Sequence, residues 1–254
     1  MNKSVQISAV VITYNEEKNI GRCLDSLQKV ADEILVVDSF STDGTESICK
    51  EKGARFIQHE FEGHIEQKNW ALTQAKYPYV LSLDADEALD EQLTESILQV
   101  KFNWTHDGYS MNRLNHFCGK WIRHGGWYPD RKLRLWDTSK GTWGGINPHD
   151  FFYMHDGSTS KHLSGDILHY TYYELREHID QINYFTDISA EAYYKKGKRS
   201  DLLKIFIKPK LNFLKMFILK LGFLDGYYGW VIARNSAHST FLKYVKLREI
   251  QKKG

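Results

Sequence analysis

Short apolar runs alternate with helical patterns over the first hundred residues. Four of the apolar runs predict buried strands, at residues 7–12, 34–37, 56–57 and 79–83. Between and after these runs, apolar side chains recur every three or four positions, which predicts helices. Repeated strand–helix units of this length are typical of an α/β fold with a mostly parallel central sheet covered on both faces. In such sheets, ligands bind at the carboxyl ends of the strands.

The amino-acid composition of the sequence changes near residue 103. The next seventy residues are rich in Trp, Tyr, His and Gly, and they are followed by a helical pattern. One predicted helical stripe consists of Leu175, Ile179, Ile182 and Phe185. We therefore predict three parts, at residues 1–103, 104–173 and 174–254.

Charge is distributed unevenly along the 254 residues. The net charge is +2, but residues 1–194 carry −10 and residues 195–254 carry +12.

With 42% hydrophobic residues the chain can fill a core, which excludes general disorder. Cys23, Cys49 and Cys118 lack the spacing of a zinc site or a disulfide scaffold. We therefore predict that the protein is located in the reducing cytoplasm.

The basic excess is densest in residues 195–220, which hold nine Lys or Arg and one acidic residue, Asp201. Bulky apolar residues interleave with these charges, as in a helix that lies on an anionic membrane surface. The alternative is a helix whose apolar face packs on the protein while its lysines extend into solvent. Pro209 is expected to break or restart this helix. No nucleic-acid motif accompanies the charge, so a nucleic-acid partner is not predicted.

Carboxylates follow two of the predicted strands directly. Asp84-Ala85-Asp86 follows the strand at 79–83, and Asp38 follows the strand at 34–37. Paired carboxylates suit Mg²⁺ or Mn²⁺, and a carboxylate at a strand end can accept hydrogen bonds from a base or a ribose. The alternatives are a solvated turn before the next helix and a turn-forming aspartate. The sequence lacks the Gly-rich loops of dinucleotide and P-loop proteins and the Gly-x-Ser-x-Gly nucleophile motif.

Three ordered segments resemble the family-2 inverting glycosyltransferases. They are VVITYNEE at 10–17, ILVVDSFSTDGT at 34–45 and LSLDADE at 81–87. Further segments, at 67–72, 126–136 and 222–229, resemble the branch of that family that contains lipopolysaccharide inner-core β-1,4-glucosyltransferases. The resemblance implies a GT-A nucleotide-sugar-binding fold. The first predicted part would bind the nucleotide sugar, the second would bind the acceptor and carry catalysis, and the third would be a basic amphipathic helical extension.

The resemblance also implies roles at the nucleoside end of the donor. A nucleotide would be cradled, largely through backbone atoms, by Thr13, Tyr14, Asn15 and Glu16. Asp38 would bind uracil. Asp43, together with Thr45, would support the loop that carries Asp38.

Further roles are implied at the diphosphate end of the donor. Lys68 would lie near the base or the phosphates, and Asp84, with Ala85 beside it, would contact the ribose. Asp86 would bind a divalent metal, Mn²⁺ or Mg²⁺, which offsets the charge that accumulates on the leaving diphosphate. A histidine, His169 or His149, can complete the metal or diphosphate shell, or it can be an ordinary core or surface group.

An inverting transfer needs a general base that takes a proton from the acceptor hydroxyl. Our candidate is Asp150, in a segment where many family members carry His-Glu, and Asp130 is the alternative base. Either residue can instead be a turn-forming aspartate near a proline. Arg131 and Arg134 are expected on one face of a strand, where they can clamp phosphate or a charged acceptor, or form ordinary surface pairs.

We therefore predict a metal-dependent inverting glycosyltransferase. It would move glucose or a related hexose from a UDP-sugar to a membrane-associated glycolipid such as lipopolysaccharide core. It would be cytoplasmic and peripherally associated with the inner face of the cell membrane. A sugar nucleotidyltransferase is an alternative, but the sequence lacks an N-terminal Gly-rich pyrophosphorylase loop. A catalytically silent sugar-nucleotide-binding or membrane-scaffold protein is another, and the intact Asp84 and Asp86 argue against it.

Overall fold

The structure, a computed structural model, describes residues 4–147 and 149–253, without the side chains of Ile146 and His149. The imidazole on which the histidine alternative at His149 depends therefore lies outside the described part of the chain. The strands are Ile7–Thr13 (β1), Glu33–Asp38 (β2), Arg55–Gln58 (β3), Tyr79–Asp84 (β4), Glu87–Leu89 (β5), Gly108–Phe117 (β6), Lys120–Ile122 (β7), Asp130–Asp137 (β8), Gly141–Ile146 (β9), His149–Met154 (β10) and Ser160–Tyr172 (β11).

Helices occupy most of the remaining chain. They are Ile20–Leu27 (α1), Thr45–Glu51 (α2), His64–Gln74 (α3), Glu91–Phe102 (α4), Leu175–Lys195 (α5), Leu202–Leu214 (α6) and Gly226–Lys253 (α7). A π-helical turn, Lys215–Leu219, and a 3₁₀ turn, Gly222–Asp225, lie between α6 and α7. None of the described helices is long and apolar enough to cross a membrane.

The central sheet begins with four parallel strands in the order β3-β2-β1-β4. It continues through β8, β6, β11 and β5, where β8 runs antiparallel to both β4 and β6, and β5 runs antiparallel to β11. Strands β9 and β10 form a separate antiparallel hairpin. The predicted α/β fold, with a central sheet and a C-terminal helical extension, is confirmed.

The chain forms two compact units. The first contains the chain up to Arg113 together with Asp130–Tyr170, and its core is built on the buried strands β1, β2 and β4. The second contains Leu114–Pro129 and the chain from Thr171 onward, and its core surrounds Phe117. The predicted assignment of nucleotide, acceptor and extension roles to three consecutive parts stays a prediction.

Two expectations for the helical region are wrong. The predicted stripe of α5 is not its buried face, because Leu175 and Ile179 are exposed. The buried residues of α5 are His178, Ile182, Thr186 and Ala190. Helix α6 also continues through Pro209. A proline removes one N–H donor from a helix, and α6 is held on either side of that position by the Asp201 N-cap and by bonds from Asn212 to α7.

Candidate active site

The carboxyl ends of β1, β2 and β4 lie side by side at one edge of the parallel strands. In the paired registers, Thr13 is opposite Asp38, and Ile12 is opposite Asp84. The apolar strand residues are buried in the core, so the polar segments that follow them are carried to a common edge. The convergence expected from the strand pattern is therefore present.

Two loops at this edge are joined by hydrogen bonds between side chains and backbone. The N–H of Asn15 donates to Oγ of Ser41 (2.8 Å), and Oδ1 of Asn15 accepts from the N–H of Thr42 (2.8 Å). The N–H of Glu16 donates to Oγ1 of Thr45 (2.8 Å). Each loop therefore supplies partners for backbone groups of the other, and this fixes their relative position.

The side chains of these loops differ in how far they reach solvent. Asp38 is buried and accepts hydrogen bonds from both the N–H and the hydroxyl of Ser41. Asp43 accepts a hydrogen bond from Oγ1 of Thr45 (2.6 Å). Tyr14, by contrast, is exposed. Asp38 and Asp43 thus order the loop, while the Tyr14 ring stands free of the core.

Lys68 on α3 lies between two carboxylates. Its ammonium group is 2.9 Å from Oδ1 of Asp84 and 2.7 Å from Oδ2 of Asp150, and it lies 4.5 Å from the centre of the Trp143 ring. Lys68 is only 4% exposed. Burial alone would raise the pKa of Asp84, but Lys68 and Arg134 hold it well below its usual range. Three predicted site residues, Lys68, Asp84 and Asp150, are thus brought into contact.

The hairpin that carries Asp150 is fastened to α3 by an amide side chain. Nδ2 of Asn69 donates to the carbonyl of Trp143 (3.0 Å), and Oδ1 of Asn69 accepts from the N–H of Trp143 (3.0 Å). At the turn of the hairpin, Oδ1 of Asn147 accepts from the N–H of Ile65 (3.0 Å). Helix α3 therefore supplies Lys68 and also positions the hairpin that carries its partner.

A buried ion-pair network supports Asp84 from the other side. Nη2 of Arg134 is 2.9 Å from Oδ2 of Asp84 and 3.0 Å from Oε1 of Glu87. Burial alone would lower the pKa of Arg134, but Glu87 and Asp84 raise it above its ordinary value. Oε1 of Glu87 also forms an ion pair with Nη1 of Arg113 (3.4 Å), and Nη2 of Arg113 pairs with Oδ2 of Asp130 (2.8 Å). The alternative base, Asp130, is thus ion-paired.

Sequence reasoning missed Glu87, Arg113 and Asn69. The only signal for Glu87 was its place directly after the Asp84-Ala85-Asp86 motif. Arg113 and Asn69 act through contacts with residues 17 to 74 positions away, which no local pattern records.

Arg131 and Arg134, which we expected on one face of a strand, differ in exposure. Arg131 is exposed, whereas Arg134 is 4% exposed. Side chains alternate along a strand, so residues three apart face opposite sides of a regular strand. The pairing with β6 shifts register between Leu133 and Leu135, so β8 is not regular at Arg134 and this alternation does not separate the two arginines. Arg134 pairs with Asp84 and Glu87, and a clamp formed together with Arg131 stays a prediction.

The candidate metal ligands meet at the turn after β4. Nε2 of His169 is 3.0 Å from Oδ2 of Asp86, and the carbonyl of Asp86 accepts from the N–H of Tyr170 (2.9 Å). Ala85 is buried in the core. Burial raises the pKa of Glu16, and the nearby Asp86 carboxylate adds to that rise. Within residues 4–147 and 149–253, no group of three or more His, Cys, Asp or Glu is arranged to hold a metal ion.

Comparisons with known proteins identify a family and several relatives that this chain resembles. The sequence profile of the family described as "Glycosyl transferase family 2" matches residues 8–203. The chain is 28% identical over 258 residues to the lipopolysaccharide core biosynthesis glycosyltransferase LpsC of Rhizobium meliloti (strain 1021), covering 97% of this chain and 93% of LpsC. It is 27% identical over 266 residues to an uncharacterized glycosyltransferase of Rickettsia typhi, covering 98% and 89%.

One solved structure with a partial likeness is glucosyl-3-phosphoglycerate synthase of Mycobacterium tuberculosis, in complex with Mn²⁺, UDP and glucosyl-3-phosphoglycerate. The identity is 22%, the likeness covers 44% of each chain, and the TM-score is 0.38. A likeness of that extent carries no argument about the residues of this site.

Proposed function

The chain belongs to glycosyl transferase family 2, and on that premise we propose that it transfers a hexose from a UDP-sugar to a hydroxyl of a membrane-associated glycolipid, with inversion. The observation that supports this most directly is the meeting of Lys68, Asp84 and Asp150. A cation that can face a diphosphate and a carboxylate that can accept a hydroxyl proton are two parts that such a transfer needs.

The donor would lie along the edge formed by the two joined loops. Asp38 would receive the uracil, because its carboxylate lies where β2 ends and is held there by Ser41. Tyr14 offers an exposed ring to the nucleoside. Asp84 would accept from a ribose hydroxyl, and its low pKa keeps it ionised at neutral pH.

Asp86 and His169 fit a divalent cation. Their ligating atoms lie 3.0 Å apart, and they combine a carboxylate oxygen, which suits Mg²⁺ and Mn²⁺, with an imidazole nitrogen. A bound cation would supply charge stabilisation for the departing diphosphate. Within the protein, the bond from Tyr170 to the carbonyl of Asp86 holds this turn against β11.

Asp150 would act as the general base, and its contact with Lys68 suggests how. A diphosphate competes for the ammonium group that now holds Oδ2 of Asp150 at 2.7 Å. When Lys68 turns toward the phosphate, Asp150 becomes free to take the proton of the acceptor hydroxyl as that hydroxyl attacks the anomeric carbon. Asp130 is the alternative base, and it would have to leave Arg113 and Lys132 first.

The acceptor is proposed from the relatives. LpsC is named for lipopolysaccharide core biosynthesis, and the match with it spans nearly all of both chains. We extend that acceptor class, lipopolysaccharide core or a related surface glycan, to this protein. The transfer would take place at the cytoplasmic face of the membrane, where a nucleotide-sugar donor and a lipid-linked acceptor can meet.

The experiment that tests this function uses a panel of nucleotide sugars, with thermal shift to identify the donor and a transfer assay with Mn²⁺. Asp150→Asn is expected to bind UDP as the wild type does and to lose about 10²–10⁴-fold in transfer rate. Asp86→Asn is expected to lose the response to Mn²⁺. Asp156→Asn, on an exposed loop of the same unit, is the control and should change neither.

Three results would contradict parts of the proposal. No donor in the panel that stabilises the protein would refute the nucleotide-sugar function. Transfer that persists unchanged in a chelator would refute the metal at Asp86. Near-normal transfer by Asp150→Asn would move the base to Asp130.

A further inference from the structure

Large apolar side chains are exposed in one stretch of the second unit. Residues 202–230 contain thirteen of them, more than half of those exposed in the described chain. Three examples are Leu203 (70% exposed), Leu219 (76%) and Tyr227 (71%). Soluble proteins rarely expose apolar residues at this density without a partner. We name this stretch the 202–230 surface.

Helix α6 presents its apolar side chains outward because its other face is already anchored. Ile205 is buried, and Nδ2 of Asn212 donates to the carbonyl of Ser236 (3.0 Å) and to Oγ1 of Thr240 (3.1 Å) on α7. The alternative that the sequence left open, a helix whose apolar face packs on the protein, explains why Ile205 is buried. It does not account for Phe206, which is 61% exposed.

The turns between α6 and α7 are also held in place. The buried carboxylate of Asp225 accepts a hydrogen bond from the N–H of His124 (2.8 Å). The backbone carbonyl of Asp225 accepts one from Nζ of Lys120 (2.7 Å). Gly229 packs so closely on Gly222 that a Cβ at Gly229 would overlap the Gly222 carbonyl. The apolar side chains of this segment, Leu219 among them, are therefore displayed by a supported backbone.

Aromatic rings connect α6 to these turns. Phe213 stacks on Phe217 with ring centres 5.4 Å apart, and Phe217 meets Phe223 at 6.3 Å. These contacts therefore join the end of α6 to the turns that follow it.

The charge of the same stretch indicates the occupant. Its lysines are Lys204, Lys208, Lys210, Lys215 and Lys220, and its one acidic residue, Asp225, is buried; Asp201 lies just before it. A second copy of the chain would bring a surface of the same sign, which is unfavourable. Anionic lipid headgroups complement the lysines while the acyl region receives the apolar side chains.

We propose that the 202–230 surface binds the interface of a membrane that contains anionic lipids. Leu203 and Phe206 on α6, and Leu219 and Tyr227 beyond it, enter the headgroup and acyl boundary, and the lysines contact the headgroups. This deepens the proposed function, and it rests on that function for its purpose, which is to bring the enzyme to a lipid-linked acceptor. The binding itself needs neither donor nor acceptor.

The test is co-sedimentation of the full chain with vesicles of phosphatidylcholine, with and without phosphatidylglycerol. Phe206→Ser with Leu219→Ser is expected to weaken binding by roughly tenfold for each side chain. Phe102→Ser with Leu175→Ser removes exposed side chains of the same kinds outside the surface and should leave binding unchanged. Lys208→Gln with Lys215→Gln should weaken binding by roughly fivefold for each lysine, against no change for Lys29→Gln with Lys161→Gln.

Urea unfolding and UDP binding of every variant establish that it is folded. Absence of wild-type binding to the anionic vesicles, or equal loss in surface and control variants, overturns the proposal. A dimer that the Phe206 and Leu219 substitutions dissociate, without vesicle binding, also overturns it in favour of a second copy. Vesicle binding without sugar transfer would leave this inference standing and count against the proposed function alone.

Discussion

Glu87 is the residue whose replacement should reveal most about how the site is supported. Its side chain is fully buried and accepts from the N–H of Asp84 (3.0 Å), from Arg134 (3.0 Å) and from Arg113 (3.4 Å). Glu87→Gln keeps the size of the side chain. It removes the charge and replaces one acceptor oxygen with an NH₂ group.

The expected cost follows from those three contacts. Whichever way the glutamine amide is turned, its NH₂ group faces either the N–H of Asp84 or a guanidinium group, so one donor opposes another. Arg134, which is 4% exposed, also loses one of its two carboxylates. Removing one partner of a buried ion pair costs about 3–5 kcal/mol, so we expect a loss of unfolding free energy of about 3–5 kcal/mol.

The measurement is urea unfolding of the wild type, Glu87→Gln and the exposed control Glu95→Gln. The control is expected to differ from the wild type by less than about 0.5 kcal/mol. UDP binding should weaken in Glu87→Gln, because either the backbone N–H of Asp84 or Arg134, which binds the Asp84 carboxylate, loses an acceptor. A loss below about 1 kcal/mol for Glu87→Gln would refute the view that this buried charge supports the site.

Sequence reasoning located the polar edge of the parallel strands because two local signals coincide there. Apolar runs predict buried strands, and the acidic residues that follow them, Asp38 and Asp84, must then lie at strand ends. In the structure these residues occur in the paired registers of β1 with β2 and β4. A short-range pattern was enough because parallel neighbours align their carboxyl ends.

The contact between Lys68 and Asp150 lay beyond the same reasoning. The two residues are 82 positions apart, and they meet because Asn69 binds Trp143 and so fixes the β9–β10 hairpin on α3. No periodicity predicts which hairpin packs on which helix. The register shift of β8 at Arg134 lay beyond it for a related reason, since such a shift depends on the partner strand.

Two further predictions concern a lysine of the site and a histidine of the second unit. Lys68→Met keeps a side chain of similar length but leaves Asp84 and Asp150 without their shared cation, so UDP affinity should fall roughly tenfold or more by calorimetry. Lys68→Arg should retain part of it, and unchanged affinity in Lys68→Met would contradict the diphosphate role. Burial lowers the pKa of His178 from 6.5 to about 4, so between those pH values the unfolded chain binds a proton that the folded protein does not. Stability should therefore fall as pH drops, by about 2 kcal/mol between pH 7.5 and 5 in urea unfolding, and a wild-type pH slope equal to that of His178→Gln would contradict this.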